Sequence, residues 1–393
     1  MIGGAGDDTH IGGAGDDFII ASEGNDVYDG GEGVDTFNID VAETEYTQAY
    51  NLNLETGSDD IGNTYTAIEN VTGGWGDDTL IGDAVDNILD GGVGDDVVRG
   101  GAGNDSVAGG LGNDIVDGGA GDDVLFGSFG TDDYIGGIGV DTLFIGGSEN
   151  APASYNIDLE QGLDQFGNTY DGIENITTGA GNDNMLGSDA DNQLVGNEGD
   201  DTLNGGAGND FLNGGIGNDV LIASEGTNTY FGDGGIDTLQ IAGSSVSNSD
   251  FDINLEEGSD NFGNISFGIE NVNSGAGDDR IFGGGVDNVL NGGFGNDTLL
   301  GGGGNDTLTG GAGNDNFGIE GIAGNIEITD FIKGDDQIDV SGIEGVDDFA
   351  DLADFLIAGD GNLTLTFDLE GDDQLQLLIA SEEELDETDF LFG

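Results

Sequence analysis

The sequence predicts an all-β protein, a solenoid of short stacked strands in four blocks with a small mixed cap at the C-terminal end. Two observations carry this. A nine-residue unit, GG-x-G-(D/N)-D-x-U-x with U apolar, recurs through the chain, as in GGVGDDVVR, GGAGNDSVA, GGLGNDIVD and GGAGDDVLF from Gly91 onward. The 393 residues include 82 glycines and a formal charge of −79, with one proline and no cysteine. Glycine and acid at that density leave room only for a thin core.

The unit fills 3–38 with four copies, 73–144 with eight, 178–240 with seven and 274–318 with five. At the sixth position 20 copies carry Asp and four carry Asn: Asn87, Asn192, Asn228 and Asn288. At the eighth, His10 is the one departure from an apolar residue or Tyr. A flexible glycine-rich tract has no reason to hold two opposite chemistries in register.

Glycine, Asn and Asp tolerate the positive φ of tight turns, so the first six residues of each unit are expected to turn. The last three, x-U-x, form a short strand with U inward. Two units close one coil, and stacked coils bury columns such as Val98, Val107, Val116 and Leu125, or Leu194, Leu203, Leu212 and Leu221.

Turns on one edge then lie about 4.8 Å apart. Like carboxylates about 4 Å apart repel by roughly 1 kcal/mol even in water. Calcium, which takes six to eight oxygens and prefers carboxylates and carbonyls, reverses the sign. Magnesium holds its waters and demands stricter geometry.

The nonapeptides resemble those of the RTX (repeats-in-toxin) family, which implies a right-handed parallel β-roll that binds calcium. The resemblance assigns the side-chain ligands to position six: Asp8, Asp17, Asp26 and Asp35 in the first block; Asp78, Asp96, Asp105, Asp114, Asp123, Asp132 and Asp141 in the second; Asp183, Asp201, Asp210, Asp219 and Asp237 in the third; Asp279, Asp297, Asp306 and Asp315 in the fourth. Carbonyls of positions two and four are expected to complete the shell. These are Gly92, Gly94, Gly101, Gly103, Gly110, Gly112, Gly119, Gly121, Gly206, Gly208, Gly215, Gly217, Gly293, Gly295, Gly302, Gly304, Gly311 and Gly313. A site joining each unit to the next but one gives at most about 16 calcium ions, which leaves much of the negative charge uncompensated. The neutral amides at Asn87, Asn192, Asn228 and Asn288 mark weak or absent sites. Val34, Val140 and Ile236 at position five, each preceded by an inward Tyr (Tyr28, Tyr134, Tyr230), read as the endings of blocks rather than as an aromatic ligand site.

The interludes 39–72, 145–177 and 241–273 repeat one another: YNLNLETGSDDIGNTYTAIENV, YNIDLEQGLDQFGNTYDGIENI and FDINLEEGSDNFGNISFGIENV align without a gap. Alternation at Leu52/Leu54, Ile157/Leu159 and Ile253/Leu255 predicts half-buried strands, with IEN as a further strand entering the next block. They read as wider coils or caps. Trp75, at the start of the second block, is expected to cover an end of the roll.

From Ile319 to Gly393 the composition changes, and ITDFIKGDDQIDVSGI resembles the segment closing the roll in serralysin-type C-terminal domains. Phe349, Leu352, Phe355 and Leu356 suit one face of a short helix, LTLTFD and QLQLLI two strands, and SEEE at 381–384 a capping box. The acidic then apolar ending DETDFLFG implies, by the same resemblance, export by type I secretion machinery.

Three basic residues, Arg99, Arg280 and Lys333, exclude nucleic acid and anionic membranes as partners. One histidine and no cysteine exclude thiolate nucleophiles, Ser-His-Asp triads and tetrahedral His/Cys zinc sites. The GxGxxG-like strings recur every nine residues among carboxylates that repel phosphate. No membrane insertion is expected, and the N-terminus carries no cleavable signal. The expectation is therefore a secreted, extracellular, non-enzymatic calcium-binding protein with a structural, cell-surface or matrix role. The alternative is the C-terminal export and folding module of a larger RTX enzyme, such as a protease, a lipase or a polysaccharide-modifying enzyme.

Overall fold

The computed structural model describes residues 3–39, 49–146, 154–241, 243, 247–320, 324–352, 356–358, 362–368, 374–381 and 385–393. It divides into two compact units, Met1–Ser188 with Asn192–Asn197, and Asp189–Asp191 with Glu198–Gly393. Each is a parallel β-solenoid.

In the first unit, strands pair in parallel with an 18-residue offset, Thr9 with Val27, Ile88 with Ser106 and Val97 with Ile115, so two nonapeptides make one coil. Successive nonapeptides alternate between two facing sheets. Val97–Ala102, Ile115–Ala120 and Asp133–Ile138 stack in one, Ile88–Val93, Ser106–Leu111 and Val124–Phe126 in the other. Eighth-position side chains, among them Leu89, Val98, Val107, Val116 and Leu125, are at most 1% exposed and fill the space between the sheets. The second unit repeats the plan with Thr202–Asn204, Val220–Ile222 and Thr238–Gln240 against Phe211–Ile216 and Thr229–Gly234.

Many strands are longer than x-U-x. Val97–Ala102, for example, runs on through positions one to three of the following unit, and Gly101 pairs with Gly119. The turn therefore shrinks to positions four to six. This extension depends on glycine: Gly110 has φ +100°, and a Cβ there would fall 2.0 Å from the Gly92 carbonyl of the neighbouring coil.

Each interlude splices an antiparallel insert into the solenoid. In the first, Thr64–Thr66 stacks on Val27–Glu32, Ser58–Asp59 turns back, and Asn51–Asn53 stacks on Thr79–Ile81. Asn70–Thr72 continues the opposite sheet between Thr36–Asn38 and Ile88–Val93. Trp75 does not cover an end of the roll; it is 58% exposed, in a coil that stacks on both sides through Asn51–Asn53 and Val97–Ala102.

At the C-terminal end, Gly324–Ile328 and Gln337–Gly342 continue the two sheets of the second unit. Asn362–Asp368 and Gln374–Ala380 form the expected antiparallel pair. The helix is only Phe349–Leu352, because Leu356 opens a strand paired with Leu365; Phe355 lies outside the described residues. The SEEE segment also lies largely outside them, and a capping box forms instead at Asp386, whose side chain accepts Thr388 N–H while Asp389 accepts the Asp386 N–H. Phe390 is buried and its strand joins Gln337–Gly342.

Candidate metal centre

Position-six aspartates line both edges of the coils, and each edge is knit by a ladder of side-chain to main-chain hydrogen bonds. Asp96 Oδ1 accepts the Asp78 N–H, Asp114 Oδ1 that of Asp96, and Asp132 Oδ1 that of Asp114, at 2.6–2.9 Å. The other edge runs through Asn87, Asp105, Asp123 and Asp141 in the same way. In the second unit Asp219 accepts from Asp201, Asp237 from Asp219, Asp297 from Asp279, and Asp315 from Asp297.

One oxygen of each such carboxylate is thus committed to folding. The second is buried and has no hydrogen-bond partner at Asp17, Asp35, Asp96, Asp105, Asp114, Asp123, Asp141, Asp219, Asp237, Asp297, Asp306 and Asp315. It lies over the first glycine of its own unit: a Cβ on Gly100 would fall 2.4 Å from Asp105 Oδ2. Burial above all, and then the neighbouring carboxylates, pushes Asp96 and Asp297 up to about 7 and Asp105, Asp114, Asp141 and Asp237 up to about 6. Rows of buried carboxylate oxygens with no donor and no counter-charge fit a hard cation with oxygen ligands. Among the described residues there are three basic side chains, and their ion pairs, Arg99–Asp117, Arg280–Asp252 and Lys333–Asp386, involve no position-six aspartate.

The glycines expected to lend carbonyls, from Gly92 and Gly94 through Gly311 and Gly313, all have positive φ. Position-two carbonyls such as Gly74 and Gly275 accept a main-chain N–H from the next coil through one lone pair. The second lone pair is left for a cation.

In several other candidate aspartates the second oxygen has a protein donor. Asp26 Oδ2 accepts Ser22 Oγ at 2.8 Å and Tyr28 Oη at 2.9 Å, and Asp132 Oδ2 accepts Ser128 Oγ and Tyr134 Oη. Burial raises Asp26, but these bonds, the Asp8 N–H and nearby His10 outweigh it and hold the carboxyl below its ordinary range. Asp78 and Asp279, each in the first unit of its block, accept the N–H of Gly74 and Gly275. Asp8 accepts Gly4 N–H at 3.3 Å. Asp183, Asp201 and Asp210 take part in the ladders: Asp183 Oδ1 accepts Tyr155 N–H as Asp96 accepts Asp78 N–H, and Asp201 and Asp210 donate their main-chain N–H groups to Asp219 and Asn228. The amides have a positive reason to be there: Asn87, Asn192 and Asn288 donate Nδ2 to the carbonyls of Glu69, Glu174 and Glu270, which an aspartate could not do.

Two features escaped the sequence reading. Position five carries its own exposed ladder in the opposite direction: Asp77 accepts Asp95 N–H, Asp95 accepts Asn113 N–H, and Asn113 accepts Thr131 N–H. An Asp or an Asn serves equally there. Val34, Val140 and Ile236 still donate their N–H groups, to Asp16, Asp122 and Asn218.

The interludes also end both ladders. Asn63, Asn168 and Asn264 accept the N–H of Asp26, Asp132 and Asn228 on one edge; Glu69, Glu174 and Glu270 accept those of Asp35, Asp141 and Asp237 on the other. Asp59 orients Asn63 by accepting its Nδ2 and the Tyr65 hydroxyl. The recurring GN and IEN of the interludes were the available signal.

Parallel coils two nonapeptides long, with aspartate ladders on both edges, define a β-roll. Compared with known families, the chain matches the RTX calcium-binding nonapeptide repeat (4 copies) at residues 2–37, 72–107, 108–143, 169–203, 177–212, 186–221, 204–239, 266–299 and 282–317, more than half its length. The chain belongs to this family of calcium-binding repeats. Among solved structures it is similar to the extracellular lipase LipA from Serratia marcescens, at 16% identity over 76% of this chain and 67% of that one, with a TM-score of 0.24, too loose a likeness to bear on function. Comparison with curated proteins finds no match.

Proposed function

We propose that this is a secreted, non-enzymatic β-roll that folds outside the cell as it binds many calcium ions, up to about 16, and serves a structural, surface or matrix role. The supporting observation is the set of buried, donorless Oδ2 atoms typified by Asp96, Asp114 and Asp297. Bare, they oppose folding; with a divalent ion between coils they become its cohesive element. Low cytosolic calcium keeps the chain extended for a type I channel, and millimolar calcium outside closes the coils. Of the described residues, no helix is long and apolar enough to cross a membrane.

Circular dichroism of the full chain tests the coupling. Calcium should convert a largely unordered spectrum into β-structure, and EDTA should reverse it. Strong β-structure in calcium-free, low-salt buffer would refute it.

A further inference from the structure

We propose that Asp8, His10 and Asp26 form a separate site for a borderline transition metal such as zinc in the first coil. One ligand atom from each residue lies within 4.8 Å of the others. His10 takes the inward eighth position, where other units place an apolar side chain or Tyr. It is 4% exposed, and its Nε2 has no hydrogen-bond partner. A buried imidazole nitrogen with no partner is costly in a core. A metal relieves that cost.

The surroundings hold the donors in place. His10 stacks on Tyr28 at 4.9 Å and 13°. Asp26 is oriented by Asp8 N–H on Oδ1 and by Ser22 Oγ and Tyr28 Oη on Oδ2, the outer-shell hydrogen bonds that ligating carboxylates use. A Cβ on Gly3 would meet His10 Nε2 at 2.8 Å and Ser22 Oγ at 2.7 Å, so glycine keeps the hollow open. An imidazole with two carboxylates suits zinc, cobalt or nickel, whereas calcium takes oxygen alone. Three protein ligands leave a fourth place for water. Asp8 and Asp26 are thereby taken out of the calcium ladder.

His10 is the only histidine, so its imidazole proton signals in an NMR spectrum are unambiguous. Zinc chloride added to the full chain in saturating calcium should move them to a new position, complete at one equivalent. Calorimetry of His10→Leu, which restores the apolar residue of other units, should lose that equivalent and keep the calcium response. Zinc that binds without moving the His10 signals, or binds His10→Leu as well as the parent, sits on surface carboxylates and overturns the proposal. Should His10→Leu fail to fold, the wild-type signals decide alone.

Discussion

Asp96 holds the Asp78 main-chain N–H through Oδ1 at 2.6 Å, while its other carboxylate oxygen is buried with no donor. The side chain therefore has two separable tasks. Oδ1 registers one coil on the next and would do so as an amide. Oδ2 has no such use, and its charge weakens the fold unless a cation sits beside it.

Asp114→Asn separates the two. The amide keeps the bond to Asp96 N–H and removes the buried charge that Asp132 and Asp95 oppose. In saturating calcium the variant should bind fewer ions by calorimetry and be less stable, on the order of 1–3 kcal/mol. In EDTA the order should invert, with the variant showing at least as much β-structure as the parent.

Acid should partly replace calcium. Asp96 and Asp297 are raised to about 7, and Asp105, Asp141 and Asp237 to about 6. A carboxyl whose folded value lies above its unfolded one stabilises fully below the unfolded value, and that stability is lost as pH rises through the folded one. Calcium-free protein should therefore gain β-structure as pH falls from about 8 to about 5.5. Circular dichroism in EDTA reads this, and the calcium-bound protein should not change over that range. A flat EDTA profile would show that the ladder carboxyls titrate normally.

The repeat made the coil legible because two units per turn follow from the nine-residue period and one inward side chain, and Val97 pairs with Ile115 accordingly. The aspartate edge was legible for the same reason. What stayed hidden depends on contacts at long separation. That Asn63 accepts from Asp26, 37 residues earlier, requires knowing which strand of the interlude stacks on which coil. Tyr28 looked like an aromatic ending, yet its hydroxyl also donates to the carboxylate of Asp26 and orients it, a role no spacing rule reveals.

One position in the interludes is strained. Ala67 sits at φ +49°, where the corresponding residues of the other two interludes are glycines, Gly172 at +65° and Gly268 at +63°. The left-handed region costs an L-residue roughly 1 kcal/mol or more, offset in part by the greater freedom of unfolded glycine. Ala67→Gly should therefore raise stability in calcium by about 0.5–1 kcal/mol, read as a higher urea midpoint with unchanged slope. A loss of stability would mean that the alanine methyl is packed well enough to outweigh the strain.

The ladder endings should matter more than their position between blocks implies. Glu69 Oε2 accepts Asp35 N–H at 2.8 Å, and Asn63 Oδ1 accepts Asp26 N–H at 2.6 Å. Glu69→Gln keeps an acceptor and should change stability by less than about 0.5 kcal/mol, whereas Glu69→Ala leaves the donor of a buried residue unmet and should cost about 1–2 kcal/mol. Asn63→Ala should cost more, about 2–3 kcal/mol, because it also strips Asp59 Oδ2 of the Nδ2 donor. Asn63→Asp restores the acceptor but sets a second carboxylate against Asp59. Its deficit should shrink on acidification, while that of Asn63→Ala should not. Urea titrations in saturating calcium at two pH values distinguish them, since a passive linker would leave all four variants alike.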